Sequence, residues 1–569
     1  MAVIQPHASR LSIARGIPLG EEAGIGALTL GGYLRELTER FEPDEMGCMR
    51  APDGRQMIRW SYRDLWTNAM EVARALAACG VGKGARVGTL TTNRLEFFSS
   101  FFGTALAGAI ASPFNTFSTS AELEVLLQQS AISVLILERR VLAKDFAAML
   151  VELEPAIATA RPGDLQSGKF PFLRHIVLVD DDEGFGAIEG WRRFLDHAAG
   201  VEPEHIEARA AHVAPSDPGI LFFSSGSTGK PKGILSSHRA VCLQLWRWAG
   251  WHNIAEKKRT WSANGFFWSG NFAMVGGTLT TGGTLVLQPT FDAATALALL
   301  QEEQVTMLHA WPHQWAQLEA LPDWADADLS ALRHVTCLTP VKLHPSIVSD
   351  WKEPRHAYGN TETFTLITAY PSGTPDSVTR DSHGLPTPGS TVKIVDPMAG
   401  ETVPVGVRGE IAVKGPTLML GYVGIPADET LDSEGFFATG DSGYMDDDGR
   451  LYWEGRLNDI IKTGGANVSP VEIDTVISQC PGVKASQTVG VPDELLGELV
   501  VTCIVLHAGQ SLDEAGIRNF AKERLASYKV PRRILLFEEQ DFKKTGSAKI
   551  IASEARSLAA ARLAEMEPV

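Results

Sequence analysis

The chain has 569 residues, of which 44% are hydrophobic and 21% charged. Those fractions belong to globular proteins and argue against a mainly disordered or coiled-coil chain, and the length allows two to four domains at roughly 150 residues each. With 51 basic and 68 acidic residues the net charge is −17. That speaks against a general binder of nucleic acid or anionic membrane, and it means that an anionic substrate needs local basic spots.

Residues 1–30 read as a loose lead-in. Over 61–80 apolar residues recur every three or four positions, which predicts an amphipathic helix stopped at Gly80. The segment 86–91 reads as a strand, 95–111 as a buried helix, and 133–138 and 175–179 as further strands. Such alternation favours an α/β sheet. A strand running from Pro215 into Phe222 and Phe223 leads to a Gly/Ser/Thr/Lys loop, then to a helix from about Ser237. Strand 283–288, helix 293–304 and strand 305–309 follow. From about Thr391 the short strand patterns 391–396, 409–415 and 449–455 are separated by Gly/Asp turns, the texture of a small β-barrel or meander. After Gly455 helix and strand mix, so a domain boundary is expected within 456–459, and the Ala-rich tail 551–563 favours helix.

The six cysteines (Cys48, Cys79, Cys242, Cys337, Cys480 and Cys503) are scattered, without CxxC or zinc spacing. This pattern suggests a reducing compartment. The longest apolar stretch, about 101–114, is too short to span a bilayer, and the N-terminus has no signal-peptide pattern. The expectation is a cytoplasmic protein with no stable membrane insertion and no nucleic-acid partner, for which a homodimer is compatible.

The most informative stretch is Ser224-Ser225-Gly226-Ser227-Thr228-Gly229-Lys230-Pro231-Lys232-Gly233. Its glycines let the backbone approach a ligand closely. Its hydroxyl and N–H groups can donate to phosphate oxygens, and Lys230 and Lys232 offset charge. It is not a Walker A loop, because Ser224 stands where the first glycine is required and Pro231 follows Lys230.

Further motifs follow in order: Tyr358-Gly359-Asn360-Thr361-Glu362, then Thr439-Gly440-Asp441, then Gly455-Arg456-Leu457-Asn458-Asp459 with Lys462-Thr463-Gly464-Gly465, and finally Lys544-Thr545-Gly546-Ser547-Ala548-Lys549. Together with the loop they resemble the adenylate-forming superfamily of acyl-CoA synthetases, peptide-synthetase adenylation domains and firefly-type luciferases, over about residues 30–550. The resemblance implies an α/β fold. A large N-terminal AMP-binding part, 1–457, would hold αβ subdomains and a β-barrel. A small mobile α+β C-terminal domain, 458–569, would turn about a hinge at Asn458.

The resemblance also implies an ATP-dependent carboxylic acid:CoA ligase using Mg²⁺. Residues 224–232 (Ser224, Ser225, Gly226, Ser227, Thr228, Gly229, Lys230 and Lys232) would hold the β- and γ-phosphates. Tyr358 would lie against adenine, Thr361 would contact the α-phosphate, and Glu362 would hold the metal. Asp441 would accept from the ribose hydroxyls, and Arg456 would contact ribose or phosphate. Lys549 would bridge the carboxylate and α-phosphate as charge develops. In the second half-reaction a domain rotation would bring in the 462–470 loop, with Gly464 and Gly465 lining the pantetheine tunnel. Lys529 would either meet a CoA phosphate or lie at the solvated surface.

Several positions depart from the family pattern. Asn458 replaces the usual Asp or Lys but tolerates unusual backbone angles. Lys543 and Ala548 stand where Pro and Gly are usual. The segment Cys337-Leu338-Thr339-Pro340-Val341-Lys342 replaces a run that contacts adenine. Phe267 falls at the place of a usual histidine. Phe267 and Trp268, with Trp311-Pro312-His313, would wall the acyl pocket, which suits an apolar or ring-bearing acid. No lone buried carboxylate is evident that would select an amino acid's ammonium group. A free-standing adenylation enzyme that passes the acyl group to a carrier-protein phosphopantetheine is the alternative. A luciferase-like oxygenase or a non-catalytic nucleotide-binding relative are remoter ones.

Overall fold

A computed structural model describes residues 10–52, 54–225, 231–337, 341–457, 461–468, 470–542 and 552–566. Two sheets form the body of the larger part. The first has eight strands in the order Ile188–Gly190, His175–Leu178, Val134–Leu137, Arg86–Leu90, Ile110–Pro113, Pro218–Ser225, Pro231–Ser237 and Gly421–Tyr422. The first six are parallel and the last two pairings antiparallel. The second has six strands, His334–Thr336, Met307–His309, Arg259–Ser262, Thr284–Leu287, Glu45–Arg50 and Met57–Ser61, parallel except for the last pair.

One core joins these two sheets through the helices Leu30–Phe41, Tyr62–Ala78, Leu95–Leu106 and His238–His252. Every residue of Leu95–Leu106 except Glu96 is buried, as its run of phenylalanines demands. Ser61 fixes the start of Tyr62–Ala78: its Oγ accepts from Asp64 N at 3.1 Å and Asp64 Oδ2 accepts from Ser61 N at 2.8 Å. Such a box is worth about 1 kcal/mol. The helix expected over 95–111 is shorter than its apolar run. Gly108, at φ +78°, turns the chain, and Ile110–Pro113 joins the sheet as a strand.

A third, antiparallel sheet of five strands is a half-barrel: Ile13–Arg15, Thr391–Val395, Gly409–Lys414, Phe437–Met445 and Leu451–Arg456. The lead-in expected at the N-terminus is therefore partly structural, since Ile13–Arg15 is the edge strand beside Thr391–Val395. From Ile461 onward the strands pair only among themselves within the described residues. A long hairpin, Val483–Asp493 with Gly497–Leu506, carries Arg533–Leu536 on its edge and packs against helices Pro470–Ile477, Glu514–Lys522 and Ala552–Glu565. All six cysteines are free thiols. Among the described residues no helix is long and apolar enough to cross a membrane.

Candidate functional site

The Gly/Ser/Thr/Lys loop is carried by a hairpin. Strand Pro218–Ser225, anchored by the buried Ile220, Leu221 and Phe222, pairs antiparallel with Pro231–Ser237, placing Ser224 opposite Lys232. The expected strand–loop–helix order is thus corrected: a seven-residue strand separates the loop from helix His238–His252. The helix N-terminus, where Ser237 Oγ caps Ala240 N at 3.1 Å, is a strand's length away. Its dipole does not act on the loop, because that effect fades within the first turn. Lys232 Nζ sits 4.9 Å from the Tyr422 ring centre, and the Tyr422 hydroxyl donates to Glu362 Oε1 at 2.8 Å. Tyr422 therefore ties the lysine of the hairpin to the carboxylate proposed for the metal. Gly226, Ser227, Thr228, Gly229 and Lys230 lie outside the described residues, as do Asn458, Lys549, the segment Leu338–Pro340, and the side chains of Ser225 and Arg456.

The second motif is built around a glycine. A Cβ on Gly359 would overlap the Thr365 carbonyl, so no other residue fits. Asn360 then caps the short turn Thr361–Thr363, its Oδ1 accepting from Thr363 N at 3.0 Å. Phe364 and Thr365 follow at φ +44° and +82°, strained values for residues with a Cβ. The turn brings Thr361 Oγ1 to 3.5 Å from Ser269 Oγ. On its other side the buried Tyr358 hydroxyl donates to Asp441 Oδ2 at 2.7 Å. Asp441 is itself 3% exposed and lies in half-barrel strand Phe437–Met445, with Arg456 opposite it in the backbone register.

Between these motifs lies a cavity of about 460 Å³, whose lining includes Ser224, Phe267, Trp268, Thr361, Gly465 and Tyr528. Its aromatic wall is continuous: ring centres are 5.4 Å apart for Phe267–Trp268, 6.2 Å for Trp268–Trp311 and 5.2 Å for Trp268–Tyr528. His313 does not line it but packs 5.8 Å from Trp311. Gly464 and Gly465 both have positive φ, +55° and +78°, and a Cβ on Gly465 would collide with the Trp311 indole. The glycine pair is thus required for the close approach of its turn to the wall.

The cavity also holds side chains that the sequence did not single out. Gln244, Trp248, Trp251 and His252 face it from helix His238–His252, spaced as one helical face. The signal was there in polar residues set within a buried helix, but the facing direction was not. Glu353 and Arg355 line it as well. The Glu353 side chain is 4% exposed, its Oε2 3.9 Å from Arg355 Nε, so this buried carboxylate faces a cation.

Lys529 is a further correction. It is neither at the surface nor open to a phosphate, being 5% exposed. Its Nζ donates to Glu472 Oε1 at 2.7 Å and to Glu122 Oε1 at 3.1 Å. Burial opposes its charge, but Tyr528, Glu122 and Glu472 outweigh that and hold its pKa above the ordinary lysine value. Glu122 Oε1 also accepts from Ala526 N at 3.1 Å. These bonds fasten the segment around Lys529 to helix Ser120–Ser130 of the larger part.

Nucleotide-type motifs around one aromatic cavity define an adenylate-forming enzyme. The family described as AMP-binding enzyme matches residues 46–423, and the AMP-binding enzyme C-terminal domain matches 472–549. The chain belongs to this AMP-binding family, in the adenylate-forming superfamily of acyl-CoA synthetase type. It is 29% identical over 535 residues to the putative acyl-CoA synthetase YngI of Bacillus subtilis, covering 92% of this chain and 95% of the relative. It is 30% identical over 490 residues to the 3-[(3aS,4S,7aS)-7a-methyl-1,5-dioxo-octahydro-1H-inden-4-yl]propanoyl:CoA ligase of Rhodococcus jostii, covering 84% and 90%. In fold it matches the amide bond synthetase McbA from Marinactinospora thermotolerans with a TM-score of 0.71 at 22% identity, over 92% of this chain and 99% of that one.

Proposed function

We propose that the chain is an ATP-dependent carboxylic acid:CoA ligase acting on an apolar or ring-bearing acid. In the first step a carboxylate oxygen bonds to the α-phosphorus and the bond to the bridging oxygen breaks, releasing pyrophosphate. In the second a thiol sulfur bonds to the acyl carbon, AMP leaves and the thiol proton is released. The first step joins two anions, so the site must neutralise charge and fix an in-line approach. The 224–232 loop is assigned the β- and γ-phosphates, Thr361 the α-phosphate, and Lys549 the charge developing between carboxylate and phosphate. Tyr358 fixes Asp441 for the ribose diol, and Arg456 is assigned the ribose or a phosphate. The Glu362 carboxylate, which accepts from Tyr422 on one oxygen, fits a single-carboxylate Mg²⁺ site shared with the phosphates. Bound there, the ion would neutralise phosphate charge.

The observation that carries the reading is that Thr361 of the adenylation motif and Gly465 of the glycine turn line one cavity together with Phe267 and Trp268. This supports a division at 457/458, with Asn458 as hinge and the 461–468 turn presented to the site for thioester formation. The test is pyrophosphate release with ATP and Mg²⁺ over a panel of acids, with and without CoA. CoA-dependent turnover is expected. Acid-dependent exchange of pyrophosphate without CoA turnover would instead favour a carrier-protein acceptor. Lys549→Ala should abolish adenylation yet still convert supplied acyl-AMP to thioester, and equal loss of both steps would refute its assigned role.

A further inference from the structure

We propose that the acid carries a hydroxyl or keto oxygen on a ring, read within the cavity by Gln244, Trp248, His252, Asn264 and His309. The inference rests on the ligase reading for its reaction but not for its binding chemistry.

All five side chains line the cavity and are at most 4% exposed, and each holds a polar atom without a hydrogen-bond partner among the described residues. Three share a face of helix His238–His252. Gln244 spends its Nε2 on the Leu366 carbonyl at 2.7 Å, leaving Oε1 unmet. His252 Nδ1 lies 2.9 Å from the Trp248 carbonyl. A carbonyl only accepts, so Nδ1 bears the hydrogen and Nε2 is a bare acceptor in the neutral ring. Burial keeps that ring neutral by drawing its pKa down to about 4. Trp248 Nε1, a donor only, is also unmet.

The other two come from the opposite construction. Ser262 and His309 pair at the carboxyl ends of parallel strands Arg259–Ser262 and Met307–His309, the edge where open α/β sheets receive ligands. Asn264, two residues beyond, has both amide atoms unpartnered, and His309 has Nδ1 unpartnered.

A plain alkyl chain would bury these donors and acceptors unmet, which is unfavourable. A hydroxyl can donate to His252 Nε2 or Gln244 Oε1 and accept from Trp248 Nε1 or the Asn264 amide, and a keto oxygen can do the second. A second carboxylate is poorly matched. The two imidazoles are neutral, His309 also being drawn to about 4 by burial. Arg355, the one lysine or arginine in the lining among the described residues, faces the carboxylate of Glu353. The flat indole and phenyl faces of the wall suit a ring.

The test uses matched acids: 3-phenylpropanoic against 3-(4-hydroxyphenyl)propanoic acid, cyclohexanepropanoic against its 4-hydroxy and 4-oxo forms, and octanoic acid. Binding is read by tryptophan fluorescence without ATP, and kcat/KM by CoA-dependent pyrophosphate release. Each oxygenated ring acid is expected to exceed its parent by about ten- to a hundred-fold in both readouts. His252→Phe and Asn264→Leu should pull that ratio toward one, while His252→Gln, which keeps an acceptor, should restore much of it. Equal binding of oxygenated and parent acids, or tighter binding of octanoate, overturns the inference. Oxygen-selective binding with no CoA-dependent turnover supports the inference while refuting the ligase reading.

Discussion

Replacing Glu122 with glutamine should slow thioester formation about ten-fold and leave acyl-adenylate formation within about two-fold. At 3.1 Å the Glu122–Lys529 attraction is worth about 5 kcal/mol gross at an effective dielectric near 20. Desolvation of two nearly buried groups cancels most of it. Lys529 keeps Glu472 at 2.7 Å, and glutamine still offers an oxygen to Ala526 N. The net loss is then about 1–2 kcal/mol, roughly a factor of ten in how often the segment around Lys529 sits on helix Ser120–Ser130. In that docked arrangement Gly465 lies against Trp311 at the cavity. Undocking should therefore starve the second step alone. The assay is rapid-quench measurement of each half: pyrophosphate from ATP and acid without CoA, and acyl-CoA from supplied acyl-AMP. Equal slowing of both halves, or an unchanged second half, would refute the reasoning. Because the pair is buried, added salt should mimic the variant only weakly.

Gly465→Ala should act on the same step more severely, by a hundred-fold or so, since it combines a positive φ of +78° with collision against Trp311; the same two half-reactions report it. Tyr358→Phe removes the 2.7 Å bond to Asp441 and should raise the KM for ATP about ten-fold without altering the KM for the acid, as initial-rate kinetics would reveal. Asp474, in helix Pro470–Ile477, has its carboxyl pushed up to about 6 by burial, which outweighs its bonds from Thr488 and Ser486. The folded state thus favours the protonated acid. That contribution is complete below the ordinary value near 4 and is lost as pH rises through about 6, by at most about 3 kcal/mol. Asp474→Asn should flatten the pH dependence of melting of the 461–566 region between about pH 4 and pH 6; an unchanged slope would exclude Asp474 as its source.

The ordered motifs were legible because their chemistry is local. Gly359 is required by its clash with Thr365, close by in the chain, and Thr361 and Glu362 follow Gly359 in one short turn. What sequence reading missed was settled by distant partners. Lys529 is fixed by carboxylates 57 and 407 positions away, which no local pattern reveals. Strand Pro231–Ser237 is hidden between the loop and the helix after it because three consecutive apolar or small residues carry no clear period. Its pairing with Pro218–Ser225 and Gly421–Tyr422 decides its conformation. Gln244 and His252 looked like ordinary helix residues, and only the packing of that helix against Leu366 and Trp351 turns them inward.

The edge strand Ile13–Arg15 also sets an order of events during synthesis. Ser12, at its threshold, bonds to Pro404, 392 positions on. At 5–20 residues per second that partner leaves the ribosome roughly 20–80 s after Ser12 does. All strands of the two α/β sheets except Gly421–Tyr422 can assemble in the interval, so this early-made strand is paired late. An N-terminal fusion that engages this segment early would therefore delay closure of the half-barrel rather than formation of the core.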